Sequence, residues 1–215
     1  MIVTSEAIIL RARKQGETSK IVTLYTREYG KLAVIAKGAR EMKSKFGGAL
    51  EMFARSSVIF YKREKHDALN LLSKAETLDS NAGILRSLKK MEAAMAIVEL
   101  MLHAMHDEEA NSELFDLLAS AFHTIAQSEE DAAPLIQLRF YLEFAVKMGF
   151  EIDFNETREI SPHLIELLQS LNRPSTLLAE REYHQLQSFF QAYFAEHLPG
   201  VSLRSMRSAK VFGKL

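Results

Sequence analysis

The residues in this chain best suited to chemistry are cations. Between Ala36 and Leu50, Lys37, Arg40, Lys43 and Lys45 are interleaved with Gly38, Gly47 and Gly48. Glycines let backbone amides approach phosphates closely, and lysine and arginine displace the counterions that surround a nucleic acid backbone. Phe46, in the same run, offers a flat face on which a base of a single strand can stack; packing into a core is its alternative use. The glycine and lysine spacing does not match GxxxxGK[ST], so a nucleotide-binding P-loop is not expected. Lys14, Lys20, Arg27, Lys31, Arg55, Lys62 and Arg63 add charge on flanking turns and strand ends. Contacts of this sort fix position on phosphates and carry no sequence information, so binding is expected to be largely sequence-independent.

Other chemistries have less support. The chain has no cysteine, which removes disulfides, thiolate nucleophiles and Cys-type zinc sites together. His103 and His106 follow Glu99 on a run that reads as helix, a spacing that can align metal ligands, but an ordinary helix surface is the simpler expectation. His163, His184 and His197 are scattered. Asp107, Glu108 and Glu109 read as a solvated acidic loop. There is no Gly-x-Ser-x-Gly elbow and no dinucleotide fingerprint, so neither an enzyme nor a cofactor is expected. Met91, Met95, Met101 and Met105 read as helix core, or as an adaptable groove for an apolar peptide. Arg86, Arg139 and Lys147 lie beside apolar stripes, where they are candidates to receive carboxylates of an acidic peptide tail.

The elements that must position these residues change character along the chain. Lys20–Thr26 and Lys31–Ala36 alternate at period two and are rich in β-branched and aromatic residues, with Tyr29-Gly30 as the turn of a hairpin. Ala7–Arg11 precedes this hairpin, and Ser57–Tyr61 and Ala68–Leu72 follow it. Five short strands in so short a stretch predict a closed barrel such as the OB-fold. From Ser80 the period becomes helical, through Met91–Met105, Leu114–Ile125 and about Ala133–Phe150, with Pro134 in the first turn of the third helix and Gly149 ending it. Ser161-Pro162 reads as a cap and first residue of a short helix ending near Asn172-Arg173-Pro174; the last helix carries Leu186, Phe189, Phe190, Tyr193 and Phe194. The fold class expected is α+β and multidomain: an OB-fold barrel over residues 1–78, then an all-α domain over 79–215.

Charge follows the same division. Residues 1–65 hold 14 Lys+Arg against 6 Asp+Glu, whereas the remainder holds 13 against 22. A basic module joined to an acidic one points to different partners for the two. No apolar run reaches the ~18 residues of a membrane span, and a cytoplasmic protein is expected.

The run Gly16–Leu32, followed by Ala36-Lys37-Gly38-Ala39-Arg40 and Lys43-Ser44-Lys45-Phe46-Gly47-Gly48, strongly resembles the N-terminus of the RecO family of bacterial recombination mediators. His197-Leu198-Pro199-Gly200 and Leu203–Ser208 are similar to that family's end. The resemblance implies an OB-fold followed by a helical domain, binding to single- and double-stranded DNA, strand annealing, and work with RecR and the acidic C-terminal tail of single-stranded-DNA-binding protein to load RecA, at the nucleoid. Its basic positions correspond to Lys20, Lys31, Lys37, Arg40, Lys43 and Lys45. Two features depart from the family's pattern. Glu41-Met42 stands where members commonly carry a basic-proline pair, and the segment after Phe150, about 150–180, lacks the four-cysteine zinc module of many members. An adaptor whose basic barrel binds an acidic protein partner is the alternative reading.

Overall fold

The computed structural model describes residues 1–63, 69–155, 157, 159–171 and 178–198. By contact the chain divides into two compact units, Met1–Ala82 with Met105–His123, and Gly83–Ala104 with Thr124–Leu215.

The first unit is built on five strands: β1 (Ile2–Gln15), β2 (Ser19–Thr26), β3 (Gly30–Ala36), β4 (Arg55–Tyr61) and β5 (Asn70–Asp79). They close into a barrel in the order β1-β2-β3-β5-β4, with β3 and β5 paired in parallel and the other pairs antiparallel. This is the OB-fold arrangement, and closure removes the open edges of the sheet. The alternation in β2 and β3 places Val22, Leu24, Leu32, Val34 and Ala36 in the barrel core. Gly30 turns the β2–β3 hairpin at φ +64. The strand expected from Ala68 is observed from Asn70, with Ala68 itself outside the described residues.

In β1 the run Ala7-Ile8-Ile9-Leu10 is buried throughout. Such a run, buried on both faces, hides the period-two signal. A helix supplies cover outside the barrel. In α2 (Ser112–Gln127), Phe115 stacks on Tyr25 at 6.5 Å and Phe122 meets Phe53 edge-on at 5.3 Å. Arg27 lies 4.6 Å over the Phe115 ring and pairs with Asp116 at 2.5 Å. These contacts group most of α2 with the barrel, although the sequence reading ends the barrel domain at residue 78.

The second unit contains α1 (Leu88–Ala104), α3 (Ala133–Lys147), α4 (Pro162–Gln169) and α5 (Glu180–His197). The buried residues of α1 are Ala93, Ala94, Ala96, Ile97, Val98, Leu100, Met101 and Ala104. The methionines differ in burial: Met101 and Met105 are buried while Met95 is exposed. Small alanines let helices approach closely, and aromatic rings fill the space between α3 and α5. Tyr141 packs on Phe190 and Phe194, and Phe144 on Phe194. Gln137, fully buried, donates to the Tyr141 hydroxyl and accepts from Tyr183, so its amide is satisfied inside the core. The α3 helix ends where Gly149 takes φ +83, and Ser161 caps α4 by accepting from the Leu164 amide. Residues 172–174 and the C-terminal motif from Pro199 lie outside the described residues.

Candidate nucleic-acid interface

The β1–β2 hairpin and the loop that follows β3 form one basic surface, and the sequence accounts for how they are held together. A register shift between Ile9 and Arg11 re-aims the second half of β1. Beyond it, Arg11, Arg13 and Lys14 are exposed, while Ala12 packs against the barrel core. Lys14 stands opposite Lys20 on β2, and Lys20 stands opposite Ala36, the residue before Lys37. At about 4.8 Å per strand, Lys14, Lys20 and the start of the loop lie across about 10 Å of sheet.

Arg40 fastens the loop to the hairpin. Its amide donates to the Thr18 carbonyl at 2.9 Å, and its guanidinium to the Gly16 carbonyl at 2.8 Å. Gly38 takes φ +72, and the Glu41 carboxylate lies against it, at 3.3 Å from where a Cβ would stand. At the far end of the loop Phe46, Ala49 and Leu50 enter the barrel core, and Ser56 donates to the Ala49 carbonyl. Met42 and Lys43, between the two anchors, are exposed.

Phe46 is only 3% exposed. Its ring plugs the barrel, with the Lys45 ammonium 5.2 Å from its centroid, so it is not available as a platform for a base. The core reading of this residue holds and the stacking role does not, because burying a phenyl ring is worth more than leaving it exposed.

Pairing divides the cations of this unit into two sets. Lys20 reaches Glu51 at 3.2 Å, Lys31 reaches Asp107 at 3.3 Å, Arg55 reaches Glu6 at 3.6 Å and Lys62 reaches Glu108 at 2.7 Å. Arg27 is held by Asp116, whose hydrogen bond pushes its pKa higher still. Among the described residues, no carboxylate pairs with Arg11, Arg13, Lys14, Lys37, Arg40, Lys43 or Lys45. Arg63, exposed after β4, likewise has no carboxylate partner among the described residues; the other unpaired cations gather on the hairpin and its loop. Arg11 and Arg13 are absent from the sequence-derived site; the signal for them is the Arg-Ala-Arg alternation directly after the apolar run.

Asp107 and Glu109 are exposed, as a solvated acidic loop requires, but Glu108 is half-buried, and Asp107 and Glu108 each pair with a barrel lysine. The α1 helix stops at Ala104, so His106 lies beyond it and the helical spacing with His103 does not exist. Among the described residues no group of three His, Asp or Glu is arranged to hold a metal. In the second unit, Arg139 pairs with Glu143 at 2.8 Å on α3, Lys147 sits in that helix's last turn, and Arg86 ends a separate 3-10 turn, Ala82–Arg86.

An OB-fold barrel with a cationic hairpin and loop, followed by an aromatic-cored helical unit, defines a two-part protein built on a barrel class whose members bind oligonucleotides or oligosaccharides. Residues 1–81 match the family model described as Recombination protein O N terminal, and residues 85–158 match Recombination protein O C terminal. The chain belongs to the RecO family. It is similar to proteins named DNA repair protein RecO from several bacteria. With that of Salinibacter ruber it is 37% identical over 141 residues, covering 64% of this chain and 54% of the relative. With that of Chlorobium limicola it is 33% identical over 151 residues, covering 70% and 57%. With that of Chloroherpeton thalassium it is 29% identical over 191 residues, covering 87% and 71%. The chain thus spans little more than half the length of the first two relatives.

Proposed function

We propose that this chain binds DNA by its phosphate backbone and serves DNA repair and recombination as a strand-annealing mediator. The observation that carries this reading is the gathering of unpaired cations on the β1–β2 hairpin and the loop pinned to it. In OB-folds the loop joining the first two strands, with the face of strands two and three, is where oligonucleotides bind. Membership of the RecO family and the repair role named for its relatives support the biological setting. Lys14, Lys37, Arg40, Lys43 and Lys45, with Arg11 and Arg13, neutralise phosphates and lower the repulsion between two strands brought together. Lys20 and Arg55, engaged with carboxylates, contribute less, Lys31 is taken up by Asp107 and makes no phosphate contact, and Phe46 acts only by holding the loop. The role is binding rather than catalysis.

RecR, the acidic tail of single-stranded-DNA-binding protein and RecA loading enter as the partners and outcome that the family resemblance implies. Arg86, Arg139 and Lys147 are the proposed receivers of the acidic tail. The setting is the cytoplasm, at the nucleoid; among the described residues no helix is long and apolar enough to cross a membrane.

Fluorescence anisotropy with a labelled single-stranded oligonucleotide, titrated across salt, tests the reading. With about five phosphate contacts, log K is expected to fall against log salt with a slope of about −3.5. Binding to an acidic peptide without binding to the oligonucleotide would instead establish the protein-adaptor reading.

A further inference from the structure

The acidic segment after α1 lies against the end of the barrel formed by the β2–β3 turn. The Glu108 amide donates to the Lys31 carbonyl at 2.8 Å, and Asp107 makes an isolated parallel bridge with Lys31. The Asp107 carboxylate pairs with the Lys31 ammonium, and Glu108 with Lys62, whose ammonium also lies 5.6 Å from the Tyr29 ring centroid. Gly30 permits this seating: a Cβ there would stand 2.1 Å from the Glu109 carbonyl oxygen. Glu108 itself is held at φ +61, a conformation that non-glycine residues seldom adopt. The segment is therefore fixed by backbone contacts; the half-buried Glu108 carboxylate is held with it, while the exposed Asp107 carboxylate reaches Lys31 from the solvent side.

Lys31 is the second residue of β3 and Lys37 follows its end, about 20 Å away at 3.3 Å per residue. At 0.15 M ionic strength the field of an exposed charge decays over about 8 Å, so the two ends of the strand act independently. We propose that Asp107 and Glu108 form an internal counter-anion that withdraws Lys31 and Lys62 from DNA and confines the phosphate path to the hairpin and loop end of the barrel. The inference rests on the DNA-binding reading above and specifies where that binding stops. Without the two carboxylates, Lys31 and Lys62 become two further phosphate contacts.

The test uses the full chain and a labelled single-stranded oligonucleotide, with anisotropy read across salt. Lys31→Met/Lys62→Met is expected to bind within twofold of wild type with an unchanged salt slope. Asp107→Asn/Glu108→Gln is expected to bind about tenfold more tightly, with a slope steeper by about 1.4 for two added single-strand contacts. Combining all four substitutions is expected to abolish that gain. Circular dichroism and thermal melting establish that each variant is folded; if the Asp107/Glu108 variant does not fold, the lysine variant decides. Severalfold weakening in folded Lys31→Met/Lys62→Met overturns the inference, as does an unchanged affinity and slope in folded Asp107→Asn/Glu108→Gln. A wild-type chain with no DNA affinity overturns the underlying reading along with it, whereas loss in the lysine variant alone overturns only the inference.

Discussion

Lys14 and Lys20 stand directly opposite one another across β1 and β2, two like charges on the same rung of the barrel. Like charges in this position destabilise a sheet by a few tenths of a kcal/mol to about 1 kcal/mol. Lys20 is relieved by Glu51 at 3.2 Å, whereas Lys14 has no carboxylate partner among the described residues. A phosphate bound at the proposed surface would relieve this repulsion. Replacing Lys14 with threonine is expected to raise stability by up to about 0.5 kcal/mol, since threonine also suits a strand. The same change is expected to weaken DNA binding severalfold. Thermal melting and anisotropy on one preparation check both.

The burial of Phe46 separates structure from recognition. Phe46→Ala is expected to cost about 3–5 kcal/mol by leaving a cavity in the barrel. Phe46→Leu retains most of the volume and is expected to cost under about 1.5 kcal/mol, with DNA affinity at the wild-type value. A base-stacking residue would lose about 1–3 kcal/mol of binding on the same change, which anisotropy would detect as a weakening of tenfold or so.

Gly30 is required by a close approach as well as by its φ. Gly30→Ala sets a Cβ into the Glu109 backbone and is expected to destabilise the chain by more than about 2 kcal/mol. Gly16, at φ +59 with open space around it, is the comparison. Gly16→Ala is expected to cost about 1 kcal/mol, the price of the left-handed conformation alone. Denaturant unfolding of the two variants gives the difference.

Asp79 accepts from the Asn81 amide at 3.1 Å and lies 2.8 Å from His123 Nδ1. Burial works to raise its pKa, but the His123 and Asn81 hydrogen bonds and the charges of His123 and Arg55 outweigh it and hold the carboxyl below its ordinary value. A carboxyl so lowered stabilises the fold above its unfolded pKa of about 3.9, and that stability is lost as pH falls through the lower folded value. Asp79→Asn is therefore expected to lower stability by about 1 kcal/mol at pH 7, and the difference from wild type is expected to be smaller at an acid pH below about 3.9. Melting curves at the two pH values test this.

Much of the barrel is legible in the residues themselves. The β2–β3 hairpin follows from alternation and from Gly30, and the basic loop follows from its glycines and cations. What is not legible is long-range. The pairings of Arg27 with Asp116 and of Lys31 with Asp107 join residues far apart in the chain, so no local pattern marks those lysines and arginines as already engaged. Arg11 and Arg13 are obscured because Ala7–Leu10, buried on both faces, breaks the alternation that would orient them. The face of α1 is missed for another reason: alanines form half of its packed side, and of the conspicuous methionines on the helix only Met101 is fully buried.

In the proposed function, unpaired cations on the hairpin and its loop carry the DNA affinity. The most direct test of this is the triple variant Lys14→Glu/Lys37→Glu/Lys43→Glu, with Arg40 kept in place because it fastens the loop. Anisotropy with a single-stranded oligonucleotide is expected to show at least a hundredfold loss of affinity at low salt and a salt slope flatter by about 2, from three lost contacts. Wild-type affinity and slope in that variant, with its melting temperature unchanged, would contradict the account.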